Sequence, residues 1–413
     1  MTIPAIEPGP DSDLPSRVIH SARKLDADGL IDDFWLATNG ARIVATGNGS
    51  GWQRYADSNT NSSTNSTETD STETISTEVT DAGGHWLTPG FIDLHGHGAG
   101  GHSFDDGPDE LFQALAAHRA HGTTRSVISL VANPLAQLRE SLEYIADLSE
   151  LDPLVLGSHL EGPFLAPSKR GAHNLDFLRE PDPELVEQLI GAARETLLQF
   201  TIAPELPNAL ETIDVLVEAG IVVAVGHTEA TEQQAREAFD RGARLLTHVF
   251  NAMPGIHHRA PGPIVAAMQD ERVTLELILD GLHVHPDVAH LAFNEAPGRI
   301  ALITDAMAAA GSDDGDYRLG TLNVTVSGGL AVLSGTDTIA GSTLTQDSAL
   351  RIAVERARVE PHRAVEALTL TPARVLGREH ELGLLKTGYA ADAVLLDHEW
   401  HVRGVWGAGK QLI

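Results

Sequence analysis

The sequence predicts an α/β fold, a (β/α)8 barrel with a second, small β-sandwich domain. Apolar strand-like runs alternate with helical stretches from Gly90 onward, and eight such runs can be counted. The predicted strands are residues 91–97, 126–132, 154–160, 198–203, 221–227, 244–249, 275–279 and 300–304. Helical stretches between them include residues 108–121, 184–194 and 231–241. This alternation indicates a TIM-like barrel.

Both ends of the chain are predicted to contribute to the small β domain. Short strand-like runs flanked by turn residues occur near both termini, at residues 34–37, 42–45, 388–396 and 403–406. We therefore expect residues 1–88 and 380–413 to form the small domain and residues 89–379 to form the barrel. Residues 57–78 are a Ser/Thr/Asn/Glu tract without apolar periodicity, which predicts a flexible polar insert.

Composition limits the classes of partner. The chain has 413 residues, 42% of them hydrophobic, which is enough for a large core. Its formal net charge of −30 disfavours nucleic acid and anionic membranes as partners. No apolar run approaches the roughly 20 residues that span a bilayer, and the N-terminus lacks the features of a signal peptide, so we expect a cytoplasmic protein. With no cysteine and 20 histidines, any metal must be held by histidine and carboxylate.

An apolar run ends in two histidines, His95 and His97, in the first predicted barrel strand. Alternate side chains of a strand share a face, so both imidazoles can reach one metal ion. Functional groups of barrel enzymes lie where strands end and loops begin. A His-x-His pair alone can equally be two solvated loop residues, so the other strand ends decide the interpretation.

Polar residues end five of the predicted strands, and this clustering predicts a metal site. A divalent ion held by Glu161, His227 and His248 keeps a position open for water and lowers the pKa of that water toward neutrality. Beside it, the Asp305 carboxylate can take a proton and pass it to a leaving amine. The alternatives are structural: Glu161 can cap a loop, and Asp305 can be a helix N-cap.

The strand-end segments resemble those of the amidohydrolase superfamily. They are His95-Gly96-His97, Glu161-Gly162-Pro163-Phe164, Gly226-His227-Thr228, His248-Val249-Phe250-Asn251-Ala252-Met253-Pro254 and Thr304-Asp305-Ala306. Within the superfamily, the chain resembles the N-acetylglucosamine-6-phosphate deacetylases over residues 87–394. The resemblance implies hydrolysis of the acetamide of N-acetylglucosamine-6-phosphate to glucosamine-6-phosphate and acetate, in amino-sugar catabolism and cell-wall recycling.

The same resemblance implies a role for individual residues. Glu161, His227 and His248 would hold the catalytic metal, and Asp305 beside it would be both the acid/base and a further metal-binding residue. His173 would polarise the acetamide carbonyl as a donor aimed at developing negative charge. The implied sugar contacts are Ala172, Asn251, Ala252, Ala340, Gly341 and Ser342. The implied phosphate contacts are His283 and, from the neighbouring subunit of a homodimer, Arg259.

Several alternatives stay open at this stage. His95 and His97 can hold a second ion bridged by Glu161, so the chain is expected to bind one or two divalent ions, and nitrogen and oxygen ligands do not distinguish zinc from iron. The substrate can instead be another N-acyl sugar phosphate, such as N-acetylgalactosamine-6-phosphate. A catalytically inactive barrel that acts as a binding protein is the remaining alternative, and the complete set of Glu161, His227, His248 and Asp305 argues against it.

Overall fold

The computed structural model describes residues 16–56 and 77–413. The predicted flexible insert at residues 57–78 lies outside the described residues except for its last two, and Glu78 already belongs to a strand. Among the described residues, no helix is long and apolar enough to cross a bilayer.

The described strands and helices follow one another as the alternating pattern predicts. The strands are β1 (Arg17–Asp26), β2 (Gly29–Asn39), β3 (Arg42–Asn48), β4 (Glu78–Asp81), β5 (Trp86–Pro89), β6 (Phe91–Asp93), β7 (Gly98–Ala99), β8 (His102–Ser103), β9 (Thr123–Leu130), β10 (Val155–Glu161), β11 (Leu197–Ile202), β12 (Val222–Val225), β13 (Leu245–Leu246), β14 (Thr274–Ile278), β15 (Ile300–Ile303), β16 (Gly315–Leu319), β17 (Leu322–Ser327), β18 (Leu330–Leu333), β19 (Ala393–Leu396), β20 (Val402–Gly407) and β21 (Lys410–Gln411). The helices are α1 (Gln53–Ala56), α2 (Pro108–Ala120), α3 (Leu135–Leu151), α4 (Pro183–Ala193), α5 (Ala209–Glu218), α6 (Glu232–Asp240), α7 (Gly262–Gln269), α8 (Pro286–Glu295), α9 (Gln346–Arg351), α10 (Pro361–Leu368) and α11 (Leu370–Val375).

The barrel is an eight-stranded parallel sheet in the order β15-β14-β13-β12-β11-β10-β9-β6. All eight predicted strands are present, so the predicted fold is confirmed. The first strand ends earlier than predicted, since β6 covers only Phe91–Asp93 and His95 and His97 lie beyond its end. The sixth strand is also shorter than predicted, since β13 covers only Leu245–Leu246. The reason is the backbone beyond it, where His248 and Phe250 have positive φ values of 25° and 80° and leave the extended conformation.

Hydrogen bonds join the first and last barrel strands, although the two strands share no ladder. The Asp93 carboxylate accepts a hydrogen bond from Thr304 Oγ1 at 2.7 Å. One residue further on, the Asp305 amide donates to the carbonyl oxygen of His95 at 2.8 Å. This contact places the predicted acid/base beside the predicted His-x-His pair.

A second eight-stranded sheet combines strands from both ends of the chain, as predicted for the small domain. Its main path is β21-β20-β19-β5-β1-β2-β3, and β4 pairs with β1. A buried ion pair joins the two sheets: the guanidinium of Arg125 in β9 contacts the carboxylate of Asp392, next to β19, at 2.7 Å. The boundaries predicted for the two domains, at residues 88/89 and 379/380, stay a prediction.

A three-stranded antiparallel sheet, β16-β17-β18, follows the last barrel strand and was not predicted. Its buried side packs against the barrel rim in one apolar cluster with Val131 and Met307. The sheet therefore covers one side of the barrel mouth and brings Leu319 to the cavity described below.

Candidate active site

A cavity of about 390 Å³ opens at the carboxyl ends of the barrel strands, where barrel enzymes bind their substrates. Most of the residues proposed from the sequence line it. These are His97, Glu161, Ala172, His173, His227, His248, Asn251, Ala252, His283, Asp305 and Gly341.

Backbone geometry directs three of these side chains. His227, His248 and Asp305 follow β12, β13 and β15, and all three have left-handed φ values, of 46°, 25° and 45°. Such conformations cost free energy for residues other than glycine and are kept where the surrounding structure enforces them, often at functional sites. Here they turn each side chain from the strand end toward the centre of the cavity.

The Glu161 carboxylate lies at the centre of the site, at the end of β10, and is 3% exposed. Five imidazoles surround it, each presenting its Nε2 atom. Their distances to the nearer carboxylate oxygen are 3.0 Å for His227, 3.1 Å for His248, 3.2 Å for His97, 3.2 Å for His173 and 3.4 Å for His95.

The protonation of these rings tests whether the cluster suits a metal ion. Nδ1 of His227 lies 2.8 Å from the carbonyl oxygen of Lys169, which can only accept a hydrogen bond, so Nδ1 carries the proton. Nε2 of the neutral ring then presents a lone pair 3.0 Å from a Glu161 oxygen and 3.0 Å from His248 Nε2. Electron pairs this close together repel one another unless a cation or added protons lie between them. The residues fit a divalent cation, because imidazole and carboxylate are common ligands of such ions.

His95 and His97 form the other side of the cluster. Their Nε2 atoms are 3.2 Å apart, and the Asp305 carboxylate lies 3.3 Å from Nε2 of His97. His95, His97 and Glu161 together meet the spacing of a metal site, as do Glu161, His173 and His227. Both groups share Glu161.

The electrostatics of the cluster follow from this crowding. Burial alone would lower the pKa of His97, but the carboxylates of Asp305 and Glu161 raise it to about 9. Burial would likewise raise the pKa of Asp305, but His95 and His97 lower it to about 2. The same imidazoles hold the pKa of Glu161 well below its usual range against the effect of burial. Both carboxylates are therefore ionised at neutral pH.

His173 differs from the other imidazoles in its protonation. Its Nδ1 accepts a hydrogen bond from the backbone amide of Ala132 at 3.2 Å, so the proton of the neutral ring is on Nε2. Burial lowers the pKa of His173 to about 4, even though Glu161 opposes this effect. The neutral ring therefore directs an N–H donor into the cavity, where it faces the Glu161 carboxylate at 3.2 Å, and a protonated Nε2 suits hydrogen bonding and not metal ligation.

His283 and Asn251 have defined partners at the cavity wall. Nδ1 of His283 lies 2.6 Å from the Asp280 carboxylate. Burial alone would lower the pKa of His283, but Asp280 raises it above its usual value. The amide nitrogen of Asn251 donates to the carbonyl oxygens of His248 and Val249, each at 3.3 Å. Its amide oxygen is therefore oriented as an acceptor.

Four of the proposed residues are not part of the cavity lining: His95, Arg259, Ala340 and Ser342. Ser342 donates from Oγ to the carbonyl oxygen of Thr304 at 2.6 Å, and its amide donates to the carbonyl oxygen of Asp305 at 2.7 Å. The turn therefore holds the Asp305 backbone, while only its Gly341 reaches the cavity. Arg259 is exposed, and its guanidinium contacts His258 at 2.7 Å.

Sequence reasoning missed two pairs of residues around the site. Lys169 and Arg170 line the cavity. Gln199 in β11 and Glu276 in β14 are fully buried inside the barrel beneath the imidazoles. A polar residue in an otherwise apolar strand was the available signal for Gln199 and Glu276, whereas nothing distinguishes Lys169 and Arg170 from exposed loop residues.

The amidohydrolase family model matches residues 86–411, which include both the barrel and the clustered ligands. The chain belongs to the amidohydrolase family. In this family, a buried cluster of His, His and Glu indicates a divalent metal ion.

Relatives within the family have one type of activity in their names. N-acetylgalactosamine-6-phosphate deacetylase of Escherichia coli O157:H7 is 42% identical over 337 residues, covering 80% of this chain and 89% of that protein. N-acetylglucosamine-6-phosphate deacetylase of Bos taurus is 36% identical over 344 residues, covering 80% of this chain and 84% of that protein.

Solved structures show the same architecture. N-acetyl-D-glucosamine-6-phosphate deacetylase of Mycobacterium smegmatis, determined as an Asp-to-Ala variant in complex with N-acetyl-D-glucosamine-6-phosphate, is 38% identical with a TM-score of 0.85, covering 96% of this chain and 99% of that chain. The Pasteurella multocida enzyme named N-acetylglucosamine-6-phosphate deacetylase is 26% identical with a TM-score of 0.86, at the same coverage of 96% and 99%.

Proposed function

We propose that the chain is a metal-dependent deacetylase that hydrolyses the acetamide of N-acetylglucosamine-6-phosphate to glucosamine-6-phosphate and acetate. The observation that carries the proposal is the convergence of His227 and His248 on Glu161, with Asp305 lining the same cavity. The names of the relatives supply the substrate class. A reaction of this kind belongs to amino-sugar catabolism and cell-wall recycling.

Glu161, His227 and His248 would hold the catalytic ion. When bound, a divalent ion supplies Lewis acidity and lowers the pKa of a water ligand toward neutrality. The protein contributes orientation: the hydrogen bond from His227 Nδ1 to the carbonyl oxygen of Lys169 fixes the ring and would leave Nε2 available to the ion, as outer hydrogen bonds of metal-binding histidines commonly do.

Asp305 and His173 would carry out the proton transfer and charge stabilisation. The ionised Asp305 carboxylate takes the proton of the attacking water and delivers it to the departing amine, acting as general base and then as general acid. His173 donates its Nε2–H to the carbonyl oxygen of the acetamide, where negative charge develops in the transition state. Because the ring of His173 is uncharged at neutral pH, its Nε2–H stays available as a donor throughout that range.

The remaining lining residues would hold the sugar phosphate. Ala172, Asn251, Ala252 and the Ala340-Gly341-Ser342 turn surround the sugar, with the Asn251 amide oxygen accepting from a hydroxyl. His283 has a raised pKa and a carboxylate partner, so it can present a positively charged donor to the phosphate.

The number and identity of the ions are part of the proposal. His95, His97 and Glu161 would hold a second ion, and the Asp305 carboxylate lies 3.3 Å from Nε2 of His97. We propose zinc or iron, since imidazole and carboxylate ligands accept both metals.

The second candidate substrate is N-acetylgalactosamine-6-phosphate. The relative that is 42% identical carries that activity in its name. The two sugars differ in the configuration of one hydroxyl, and both present the acetamide and the phosphate to the same groups.

We also propose a homodimer in which Arg259 of one subunit grips the phosphate bound by the other. Arg259 is exposed and does not line the cavity of its own chain. Its loop also carries Ile256, which is 56% exposed, and exposed apolar side chains are common where subunits meet.

The location of the protein in the cytoplasm stays a prediction.

Acetate release tests this function directly. Metal-loaded protein is assayed on N-acetylglucosamine-6-phosphate, on its galactosamine epimer and on unphosphorylated N-acetylglucosamine, and the metal content is measured on the same sample. We expect the highest kcat/KM on one of the two phosphorylated sugars. Stoichiometric metal without acetate release from any of the three would favour the inactive binding protein.

A further inference from the structure

Glu276 is a buried carboxylate beneath the imidazole cluster that the proposed reaction does not use. It lies in the middle of β14, between Leu275 and Leu277, and is 0% exposed. Its two carboxylate oxygens have different partners: one lies 3.3 Å from Nδ1 of His95, and the other accepts a hydrogen bond from the side-chain amide of Gln199 at 2.8 Å.

A carboxylate in the interior of a barrel is costly unless each oxygen is paired. Gln199 in β11 supplies one donor and leaves the other oxygen facing His95. A carboxylate oxygen facing an imidazole nitrogen accepts a hydrogen bond from it, so this contact favours the tautomer of the neutral His95 ring that carries its proton on Nδ1. In that tautomer Nε2 carries the lone pair, and Nε2 points into the cluster, 3.2 Å from Nε2 of His97 and 3.4 Å from Glu161.

The neighbouring His159 is a buried histidine whose hydrogen bonds differ from those of His95. Its ring centroid lies 4.6 Å from that of His95. Both of its nitrogens are occupied by hydroxyls, Ser129 Oγ and Thr201 Oγ1, each at 2.9 Å. His159 therefore presents no lone pair to the cluster, whereas His95 does.

We propose that Glu276, held in place by Gln199, is a positioning residue that makes His95 a ligand of a second divalent ion, together with His97 and Glu161. The proposal rests on the proposed function only in that the same cluster binds metal. Glu276 itself touches neither the ion nor the substrate. It fixes the tautomer and the orientation of the ring, an effect that in metal sites typically changes affinity by about 10- to 100-fold.

The test counts and titrates metal ions in the full-length chain. Metal-free protein is titrated with Co²⁺ and followed by its visible spectrum and by calorimetry, and Zn²⁺ content is measured by mass spectrometry after dialysis. Glu276→Gln keeps the shape of the side chain but removes its charge. We expect wild-type protein to bind two equivalents, and Glu276→Gln to weaken the second by about 10- to 100-fold while the first changes little.

Two further variants separate positioning from general damage to the barrel. His95→Ala should weaken the same equivalent, and adding Glu276→Gln to it should have little additional effect, because Glu276 acts through His95. Thr201→Val is the matched control, since it alters an equally buried polar residue of β11 that contacts His159 and not His95. It should leave both equivalents unchanged. If Glu276→Gln folds poorly, Gln199→Met should shift the second equivalent in the same direction.

The inference is overturned if wild-type protein binds only one equivalent, or if folded Glu276→Gln binds both with wild-type affinity. It is also overturned if Thr201→Val weakens the second equivalent as much as Glu276→Gln does. Acetate release is measured separately. Wild-type protein that binds two ions but releases no acetate would contradict the proposed function and leave the role of Glu276 intact.

Discussion

Asp305 shows how backbone and electrostatics together prepare one residue for a proton transfer. Its left-handed φ of 45° turns the carboxylate from the end of β15 into the cavity. His95 and His97 then hold its pKa at about 2 despite burial. The carboxylate is thus available as a proton acceptor at neutral pH, as its proposed role as general base and then general acid requires.

Asp305→Asn should remove the proton transfer while preserving the shape of the side chain. We expect kcat to fall by about 10²-fold or more, since general acid–base catalysis typically contributes that much. KM should change little, and so should the content of the metal ion that Glu161, His227 and His248 are proposed to hold. Steady-state acetate release and metal analysis of the same preparation provide the check. A kcat near that of wild type would move the acid/base role to another group.

His173 supports a prediction about pH. Its pKa is lowered to about 4, so the ring is neutral above that pH and protonates only below it. Removing the donor in His173→Phe should lower kcat by about 10²- to 10³-fold, as for other oxyanion donors. His173→Gln retains an N–H donor and should lose less. In His173→Gln, the acid limb of the kcat profile should stay where it is between pH 5 and 8, and a shift of that limb would show that His173 titrates there.

At the scale of single residues, the clustering of the proposed ligands could be predicted, but the residues that support them could not. His227, His248 and Asp305 stand at the ends of apolar runs, and parallel strands bring such ends together. Gln199 and Glu276 stand inside apolar runs, and their partners come from other strands, so their pairing depends on barrel register. His95 could be found, but its position beneath the cavity depends on the same register.

At the scale of elements, the alternating pattern predicted the existence of the barrel strands better than their ends. The helix predicted at residues 231–241 is α6 (Glu232–Asp240). It begins there because a capping box fixes its N-terminus: the Thr231 hydroxyl accepts a hydrogen bond from the Gln234 amide, and the Gln234 side-chain oxygen accepts one from the Thr231 amide. The sheet β16-β18 was missed because its buried side packs against a loop and the barrel rim, contacts that no local periodicity reports.

The ion pair between Arg125 and Asp392 connects the two main sheets, and both side chains are 7% exposed. Removing one partner leaves a buried charge, so Arg125→Met should lower the free energy of unfolding by about 3–5 kcal/mol. The double variant with Asp392→Leu should recover part of this loss. As a control, Arg241→Gln breaks an exposed pair with Asp214 and should cost under about 1 kcal/mol. Urea unfolding measures all of these variants, and equal losses for Arg125→Met and Arg241→Gln would contradict a connecting role.

At the scale of the whole molecule, the net negative charge of the chain opposes the binding of an anionic sugar phosphate. A chain of net charge −30 repels a phosphorylated sugar at long range. Local cations must therefore offset that field at the cavity. Lys169 and Arg170 line it, and His283 has a raised pKa, but the Glu161 and Asp305 carboxylates lie nearby. A further guanidinium supplied by a second subunit would add positive charge at the mouth without placing it beside the metal site.

Mixing two variants tests whether Arg259 acts across a dimer interface. Arg259→Ala should raise KM for the phosphorylated sugar severalfold and barely change the slow reaction with unphosphorylated N-acetylglucosamine, because a guanidinium recognises phosphate by paired donors. Arg272→Ala, which alters an exposed arginine paired with Asp240 and Asp270, is the control and should leave KM unchanged.

The mixed-dimer experiment combines Arg259→Ala with Asp305→Asn by co-refolding. If Arg259 acts on the active site of the partner subunit, the mixed dimers contain one site that has both Arg259 and Asp305. Low-substrate activity should then recover to about a quarter of the wild-type value for an equal mixture, as random pairing in a twofold dimer dictates. No recovery in a preparation that light scattering shows to be dimeric would place Arg259 in its own subunit's site or outside the reaction, and a fully active monomer would refute the shared site.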